Sequence, residues 1–282
     1  MMELRPRFSL EILLSCMKMA RSTFYYYLGD GGRQDKYTQL KEAIKSTYSI
    51  HKGRYGYRRI TLSIRKDGYK INHKTVYRLM GDLGLKSSVR VKKYRSYRGE
   101  PGKIAQNVLE SNFKAAKPFQ KWSTDVTEFR VKDKKLYLSP IIDLFNQEII
   151  SYNLSDRPNF SGIMDMLDKA IGKLDTDSCG LILHSDQGWQ YQMVQYQKKL
   201  KQKGIIQSMS RKGNCLDNAI IENFFGILKS ELYYQKKYES SDQLKKDIRD
   251  YIDYYNNKRI KLNLNGMSPM EYRAHYNNKS NN

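Results

Sequence analysis

The chain has 282 residues, with 51 Lys and Arg against 29 Asp and Glu, a net charge of +22 and a sequence pI near 9.7. An apolar content of 39% with 12% aromatics excludes a disordered tail, and no apolar run approaches the roughly 18 residues of a membrane helix. Glu11 interrupts the only signal-like stretch, and Cys16, Cys179 and Cys215 form no CxxC or metal-finger spacing, so plain thiols in an intracellular, reducing compartment are expected.

The length suits about two domains on a prior of about 150 residues each. The charge is concentrated: residues 1–118 carry a net +17 and residues 119–282 only +5. A local positive field of that size favours a polyanion, nucleic acid before a membrane surface. Residues 8–28 read as two short helices capped by Ser9 and Ser22 around the turn MKMAR, and 36–50 as a third with Leu40, Ile44 and Tyr48 four apart. Ile60 and Ile64 mark one face of the next helix. Gly68 breaks it, Asn72 caps the one after, Val76, Leu79, Met80 and Leu83 line that helix, and Gly84 stops it. Helix, short turn and basic-flanked helix form the helix-turn-helix outline, with Arg58, Arg59, Lys74 and Arg78 as its DNA-facing cations. The tract KSSVRVKKYRSYRGEPGK follows; its Lys92, Lys93 and Arg95 can neutralise phosphates while the interleaved tyrosines stack.

From residue 119 the texture changes. FQKWSTDVTEFRV, KLYLSPIIDLF and EIISYNL are strand-like runs separated by short polar turns. A helix is expected over 160–173, a buried strand in GLILHSD, a helix near 191–203, a strand in GIIQSMS, and helices over 216–232 and 241–257; the Asn-rich last residues read as a frayed end. Antiparallel-type strands followed by strands alternating with helices indicate a mixed α/β sheet.

Three acids stand out. Asp125 lies inside the first strand, where a carboxylate is costly to bury unless paired or metal-bound. Asp186 closes LILHS, at the carboxyl end where α/β sheets place ligands. On the helix 216–232 the buried stripe is Ile221, Phe224, Phe225, Leu228 and Leu232, and Glu222 and Lys229 share its polar border. Three carboxylates brought together repel, and a divalent cation removes the conflict. Oxygen-only ligands favour Mg²⁺ or Mn²⁺, and two such ions are the usual device for attack at a phosphodiester, with a basic neighbour such as Lys229 on the phosphate. Asp217, five residues before Glu222, reads as a helix cap rather than a ligand.

Thirty-five residues separate Asp186 from Glu222. That spacing, with HSDQGWQY and SRKGNCLDNAIIENFFGILKSEL, resembles bacterial insertion-sequence transposases, specifically the downstream-frame (OrfB) catalytic subunit with a retroviral-integrase-like (DDE), ribonuclease-H-like core. The resemblance covers nearly the whole chain; GYRRITLSIRKDGYKINHKTVYRLM looks like the family's helix-turn-helix and KWSTDVTEF like its first catalytic strand. It implies Asp125, Asp186 and Glu222 as metal ligands, Lys229 as the basic partner, and Arg211 and Lys212 as further DNA contacts. The implied organisation is an N-terminal helical DNA-binding segment at 1–50, the helix-turn-helix at 51–86, a basic linker at 87–118, the integrase-like core at 119–235 and a helical extension at 236–282. The implied reaction is metal-dependent cleavage and strand transfer at terminal inverted repeats, by direct 3'-hydroxyl attack without a covalent protein–DNA intermediate. Implied partners are the element ends and target DNA, further copies of the chain on DNA, and an upstream-frame (OrfA) product as fusion or partner; the implied location is the bacterial cytoplasm, at the nucleoid. Two positions depart from the pattern, FNQEII after Asp143 and Trp189.

Alternatives stay open. A non-catalytic DNA-binding repressor or an inactive transposase remnant explains the basic helices but leaves the three acids without a task. A ribonuclease H shares the core type. A tyrosine recombinase has the short pattern from His51 to Arg54 and 23 tyrosines as nucleophiles in its favour, but it too leaves the acids unexplained.

Overall fold

The computed structural model describes residues 2–30, 35–88, 105–109, 112–174, 180–210 and 218–280. Two short helices come first, α1 (Leu10–Cys16) and α2 (Arg21–Asp30), around a small core of Leu10, Leu14 and Phe24. Ser9 caps α1 as expected, its side chain accepting from Ile12 N–H. Ser22 does not cap α2: Phe24 N–H already bonds to the Ala20 carbonyl, so the helix begins two residues earlier, at Arg21.

Helices α3 (Thr38–Ile50), α4 (Tyr57–Lys66) and α5 (His73–Asp82) share a core of Leu40, Ile44, Tyr55, Ile60, Ile64, Val76, Leu79 and Met80. Asn72 caps α5 by accepting from Lys74 N–H at 2.9 Å. The turn before it needs Gly68, whose φ is +94°.

The mixed sheet contains β1 (Lys121–Thr124), β2 (Thr127–Val131), β3 (Lys134–Asp143), β4 (Ile149–Ser155), β5 (Ile182–Ser185) and β6 (Ile206–Met209). β3 pairs antiparallel with β4 on one side and with β1 and β2 on the other; β1 then pairs parallel with β5, and β5 with β6. The first expected strand is therefore broken in two. Its register on β3 is nevertheless continuous, since Thr124 faces Ile141 and Thr127 faces Leu138. Carrying that register through the gap sets Pro140 opposite Asp125. Proline has no N–H for the ladder, and its carbonyl accepts from the Thr124 hydroxyl at 2.9 Å. The interruption takes Asp125 and Val126 out of the ladder, and Val126 N–H donates to Asp125 Oδ1 at 2.7 Å instead.

Helices α6 (Phe160–Ile171) and α7 (Val194–Gln202) cover one sheet face, packing Met166, Leu167, Tyr196 and Leu200 on Trp122, Ile141 and Leu183. Helices α8 (Ala219–Glu231) and α9 (Ser241–Asn257) cover the other with Phe224, Phe225, Leu228, Leu244, Ile248 and Tyr255. A second helix within the implied helical extension, α10 (Pro269–Ser280), is not singled out by the sequence reading; it takes in Asn277 and Asn278 of the stretch expected to fray, while 281–282 lie outside the described residues. Its start is a capping box: Glu271 N–H donates to Ser268 Oγ, and Ser268 N–H donates to Glu271 Oε2 at 2.8 Å. Among the described residues no helix is long and apolar enough to cross a membrane.

Candidate active site

The parallel register of β1 and β5 pairs Ser123 with His184. The same offset, continued two residues, sets Asp125 level with Asp186, each just past the carboxyl end of its strand. Adjacent strands lie roughly 4.8 Å apart, so two carboxylates emerge side by side at one rim. Side-chain alternation fixes the face. Trp122 and Val126 pack with the α6/α7 layer, and Thr124 reaches Tyr191 on that side at 3.4 Å. Ser123 and Asp125 therefore point toward α8, and the Ser123 hydroxyl donates to Asn218 Oδ1, at the start of that helix, at 3.1 Å. Ile182 packs with the α8/α9 layer, so Asp186, four residues on, shares its face. Glu222, in the first turn of α8, supplies the third carboxylate.

The electrostatics agree with this convergence. Burial raises Asp125 well above the ordinary aspartate range; the charge of Asp186 pushes the same way and Glu222 adds to it, against the Val126 N–H and Lys229. Burial likewise raises Asp186, opposed by the Gly188 N–H, and raises Glu222. Asp186 is held from below: Gly188 N–H donates to its Oδ1 at 2.9 Å, and Gln187 Nε2 donates to the Ser210 carbonyl at 3.0 Å. A Cβ on Gly188 would stand 2.5 Å from Gln190 Nε2 and 2.9 Å from that same oxygen, so a larger residue requires these side chains to shift.

Lys229 donates to Thr127 Oγ1 at 2.7 Å and lies 5.1 Å from the Phe129 ring centre. Burial lowers its ammonium to about 8, with the charges of Glu128 and Asp125 opposing. It remains mostly charged at neutral pH, on the β2 side of the acids. Two neighbours have no signal in the sequence: Thr127, and Tyr191, which is fully buried beneath the rim. Burial, then the charges of Asp186 and Asp125, keep the Tyr191 phenol protonated.

The donor set fits a hard divalent cation: three carboxylates, all oxygen, all raised by burial, with Asp125 raised further by the charges of the other two. Among the described residues no three Asp, Glu, His or Cys side chains already close on one ion-sized point. The raised acids favour the folded chain at low pH and penalise it as pH rises above the ordinary aspartate value of 3.8. Mg²⁺ bound there relieves that penalty. We therefore expect Mg²⁺ to raise the melting temperature, and to raise it more at mildly alkaline than at acidic pH; a hundredfold excess over Kd is worth about 2.7 kcal/mol. An unchanged melting curve across a Mg²⁺ titration contradicts a cation at these acids.

The cations expected to face DNA separate into two sets. Arg58, Lys74 and Arg78 are exposed on α4 and α5, and the Arg78 guanidinium sits 5.3 Å from the Tyr37 ring. Arg59 turns inward instead: its guanidinium is 3.7 Å from Glu231, and its side chain is only 25% exposed. Lys92, Lys93, Arg95, Arg211, Lys212 and Asp217 lie outside the described residues, as do Cys179 and Cys215; Cys16 is exposed and free.

A sheet of this order, with acids at two adjacent parallel strand ends and a third on the facing helix, is that of the integrase-core, DDE-type polynucleotidyl transferases. Models described as integrase core domain match residues 115–215 and 222–276, and one described as an HTH-like domain matches 36–93. The putative transposase InsK for insertion sequence element IS150 of Escherichia coli is 55% identical, over 96% of this chain and 95% of its own. Transposase InsF for insertion sequence IS3A of the same species is 31% identical over 95% of both. The solved HTLV-2 integrase catalytic core domain in complex with magnesium aligns at 17% identity and a TM-score of 0.44, covering 56% of this chain and 98% of that one. The chain belongs to the IS3 family of insertion-sequence transposases, with an integrase catalytic core.

Proposed function

We propose that this transposase cleaves DNA at the terminal inverted repeats of its insertion sequence and transfers the strand by direct 3'-hydroxyl attack. The observation that carries the reading is the level placement of Asp125 and Asp186 on the face that α8 covers with Glu222. In cleavage, a water oxygen bonds to phosphorus and the bond from phosphorus to the 3'-oxygen breaks, freeing a 3'-hydroxyl. In transfer, that hydroxyl attacks a target phosphodiester and releases the target's own 3'-hydroxyl. Each transfer exchanges one phosphodiester for another, so no covalent protein intermediate has to conserve bond energy. Asp125, Asp186 and Glu222 would hold Mg²⁺ or Mn²⁺, one ion or two, whose Lewis acidity activates the attacking oxygen and steadies the leaving one. Lys229 offers its ammonium to a non-bridging phosphate oxygen, placed by Thr127 and the Phe129 ring. Tyr191 and Thr124 close the floor beneath the acids as neutral groups.

In this reading residues 51–86, with Arg58, Lys74 and Arg78, read the element end, residues 1–50 and the linker 87–118 bind further phosphates, and 119–235 with the extension 236–282 carry the chemistry. Two ends are brought together by further copies of the chain at the nucleoid, and an upstream-frame product is a candidate partner. The test is a strand-transfer assay with the element's own ends, in Mg²⁺ and in Ca²⁺. Joined product in Mg²⁺ supports the proposal. Tight binding without any cleavage in Mg²⁺ supports a repressor or an inactive remnant instead.

The same assay format tests the DNA-reading surface. Lys74→Ala with Arg78→Ala should weaken end binding and flatten its log–log salt dependence by about one unit for each phosphate no longer neutralised. A slope identical to that of the parent chain, measured by titration at several salt concentrations, moves the role to other cations.

A further inference from the structure

The helix-turn-helix region is joined to the catalytic half by buried polar contacts. Tyr55, between α3 and α4, is fully buried; its hydroxyl donates to the Lys258 carbonyl at 3.0 Å and accepts from Ile260 N–H at 2.8 Å. Ile260 itself completes the core of α3–α5. His51 stacks on Tyr55 with ring centres 3.7 Å apart and reaches Tyr254 Oη of α9 through Nδ1 at 3.0 Å. Arg54 donates to the Glu231 carbonyl at 3.2 Å and lies over the rings of Tyr251 and Tyr254.

These contacts centre on one carboxylate. Glu231 accepts from Arg259 through both oxygens at 2.8 and 2.6 Å, accepts from Tyr251 Oη at 2.8 Å, and has Arg59 of α4 at 3.7 Å. Burial alone would raise Glu231, but the hydrogen bonds and charge of Arg259 outweigh it and hold it below its ordinary value. Glu231 is the last residue of α8, nine residues after Glu222, or roughly 13 Å along the same helix. The cluster that receives the DNA-reading region thus stands on the element that carries one of the candidate metal ligands.

We infer that Tyr55, Glu231 and Arg259 are positioning residues that fix the helix-turn-helix region at a set offset from the active-site rim, and so determine which phosphodiester is cut relative to the sequence that α5 reads. The inference rests on the function proposed above. Phosphate backbones look alike at every step, and among the described residues the acidic rim offers carboxylates and one ammonium, which act on the phosphate and do not read a base. Register has to come from the reading helices, and register survives only if the connection between the two is stiff. A region tied by chain alone would let the cut wander. Here the connection uses a tyrosine hydroxyl bonded on both sides, the Arg54 hydrogen bond to the Glu231 carbonyl, and Arg59 at 3.7 Å from a Glu231 carboxylate that Arg259 grips through both oxygens. A glycine, Gly266, also packs so closely that a Cβ would come within 3.1 Å of Leu62 of α4.

The test maps cleavage at nucleotide resolution on a labelled duplex carrying the element's terminal repeat and flanking DNA, in Mg²⁺, with the full chain. Tyr55→Phe keeps the ring and its stacking on His51 and removes only the doubly bonded hydroxyl. Glu231→Gln keeps the shape and removes the charge. We expect the share of cuts at neighbouring positions to rise several-fold in Tyr55→Phe and further in Glu231→Gln, while duplex affinity measured by titration stays that of the parent chain. Cuts confined to the parent position, at whatever rate, overturn the inference and leave the junction a stabilising contact only. Tyr55→Phe carries the test even where Glu231→Gln fails to fold. A parent chain that binds the duplex but never cuts it overturns the proposed function itself, and this inference with it.

Discussion

Asp186→Asn is expected to abolish cleavage and strand transfer while leaving the fold and the grip on DNA intact. Asparagine keeps the size of the side chain, and its carbonyl oxygen can still accept from Gly188 N–H as the carboxylate does at 2.9 Å. What it removes is charge. Without that charge a divalent cation loses one of three anionic ligands, and Asp125 loses the charged neighbour that helps raise it. The melting temperature should therefore hold or rise, because a like-charge repulsion has gone. Affinity for the element end should likewise hold or rise, since a negative group beside a phosphate has been deleted. Activity should fall by three orders of magnitude or more, corresponding to at least about 4 kcal/mol of transition-state stabilisation. The melting-temperature response to Mg²⁺ should shrink with it. Strand transfer at a comparable rate in a folded, DNA-binding Asp186→Asn chain would falsify the assignment of this acid.

Much of that site is legible in the sequence alone, because it depends on local pattern. A short apolar strand ending in Asp186 predicts a carboxylate at a sheet rim, and the spacing of Ile221, Phe224, Phe225 and Leu228 orients Glu222 on its helix. The helix over 241–257 and the caps at Ser9 and Asn72 are likewise local chemistry and appear where expected. The resemblance supplies the grouping of the three acids, which spacing alone supports only weakly. What the sequence conceals is relational. Nothing near Asp125 shows that Pro140 stands across from it and opens the ladder there. Arg59 has the same basic surroundings as Arg58, yet the first faces Glu231, 172 positions away, and the second faces solvent. The capping box at Ser268 and Glu271 is local and readable in SPME, but the helix it starts runs into the Asn-rich last residues, which suggest a frayed end.

Glu231→Ala is expected to be the most destabilising single charge deletion among the residues described. Arg259 is 2% exposed and Glu231 9%, and their two-pronged pairing satisfies both groups. Removing the carboxylate leaves the Arg259 guanidinium buried without its anion and takes the acceptor from Tyr251 Oη. Breaking one side of a buried pair costs roughly 3–5 kcal/mol, because the remaining charge keeps its desolvation penalty and loses its compensation. The exposed pair Lys66–Glu271 gives the contrast: both side chains are about half exposed at 3.1 Å, and such a pair is worth about 0–1 kcal/mol. Denaturant melts of Glu231→Ala and Lys66→Ala against the parent chain should therefore differ by several kcal/mol. A double variant, Glu231→Leu with Arg259→Met, should recover much of the loss, since neither charge is then stranded. Stability and cutting register would then separate: the apolar pair can refill the volume between α4, α8 and residue 259, but it offers Arg59 no partner. If the double variant restores the melt yet still cuts at scattered positions, the ion cluster sets the offset through directional bonds. If it restores both, close packing alone is enough to hold the DNA-reading helices in place.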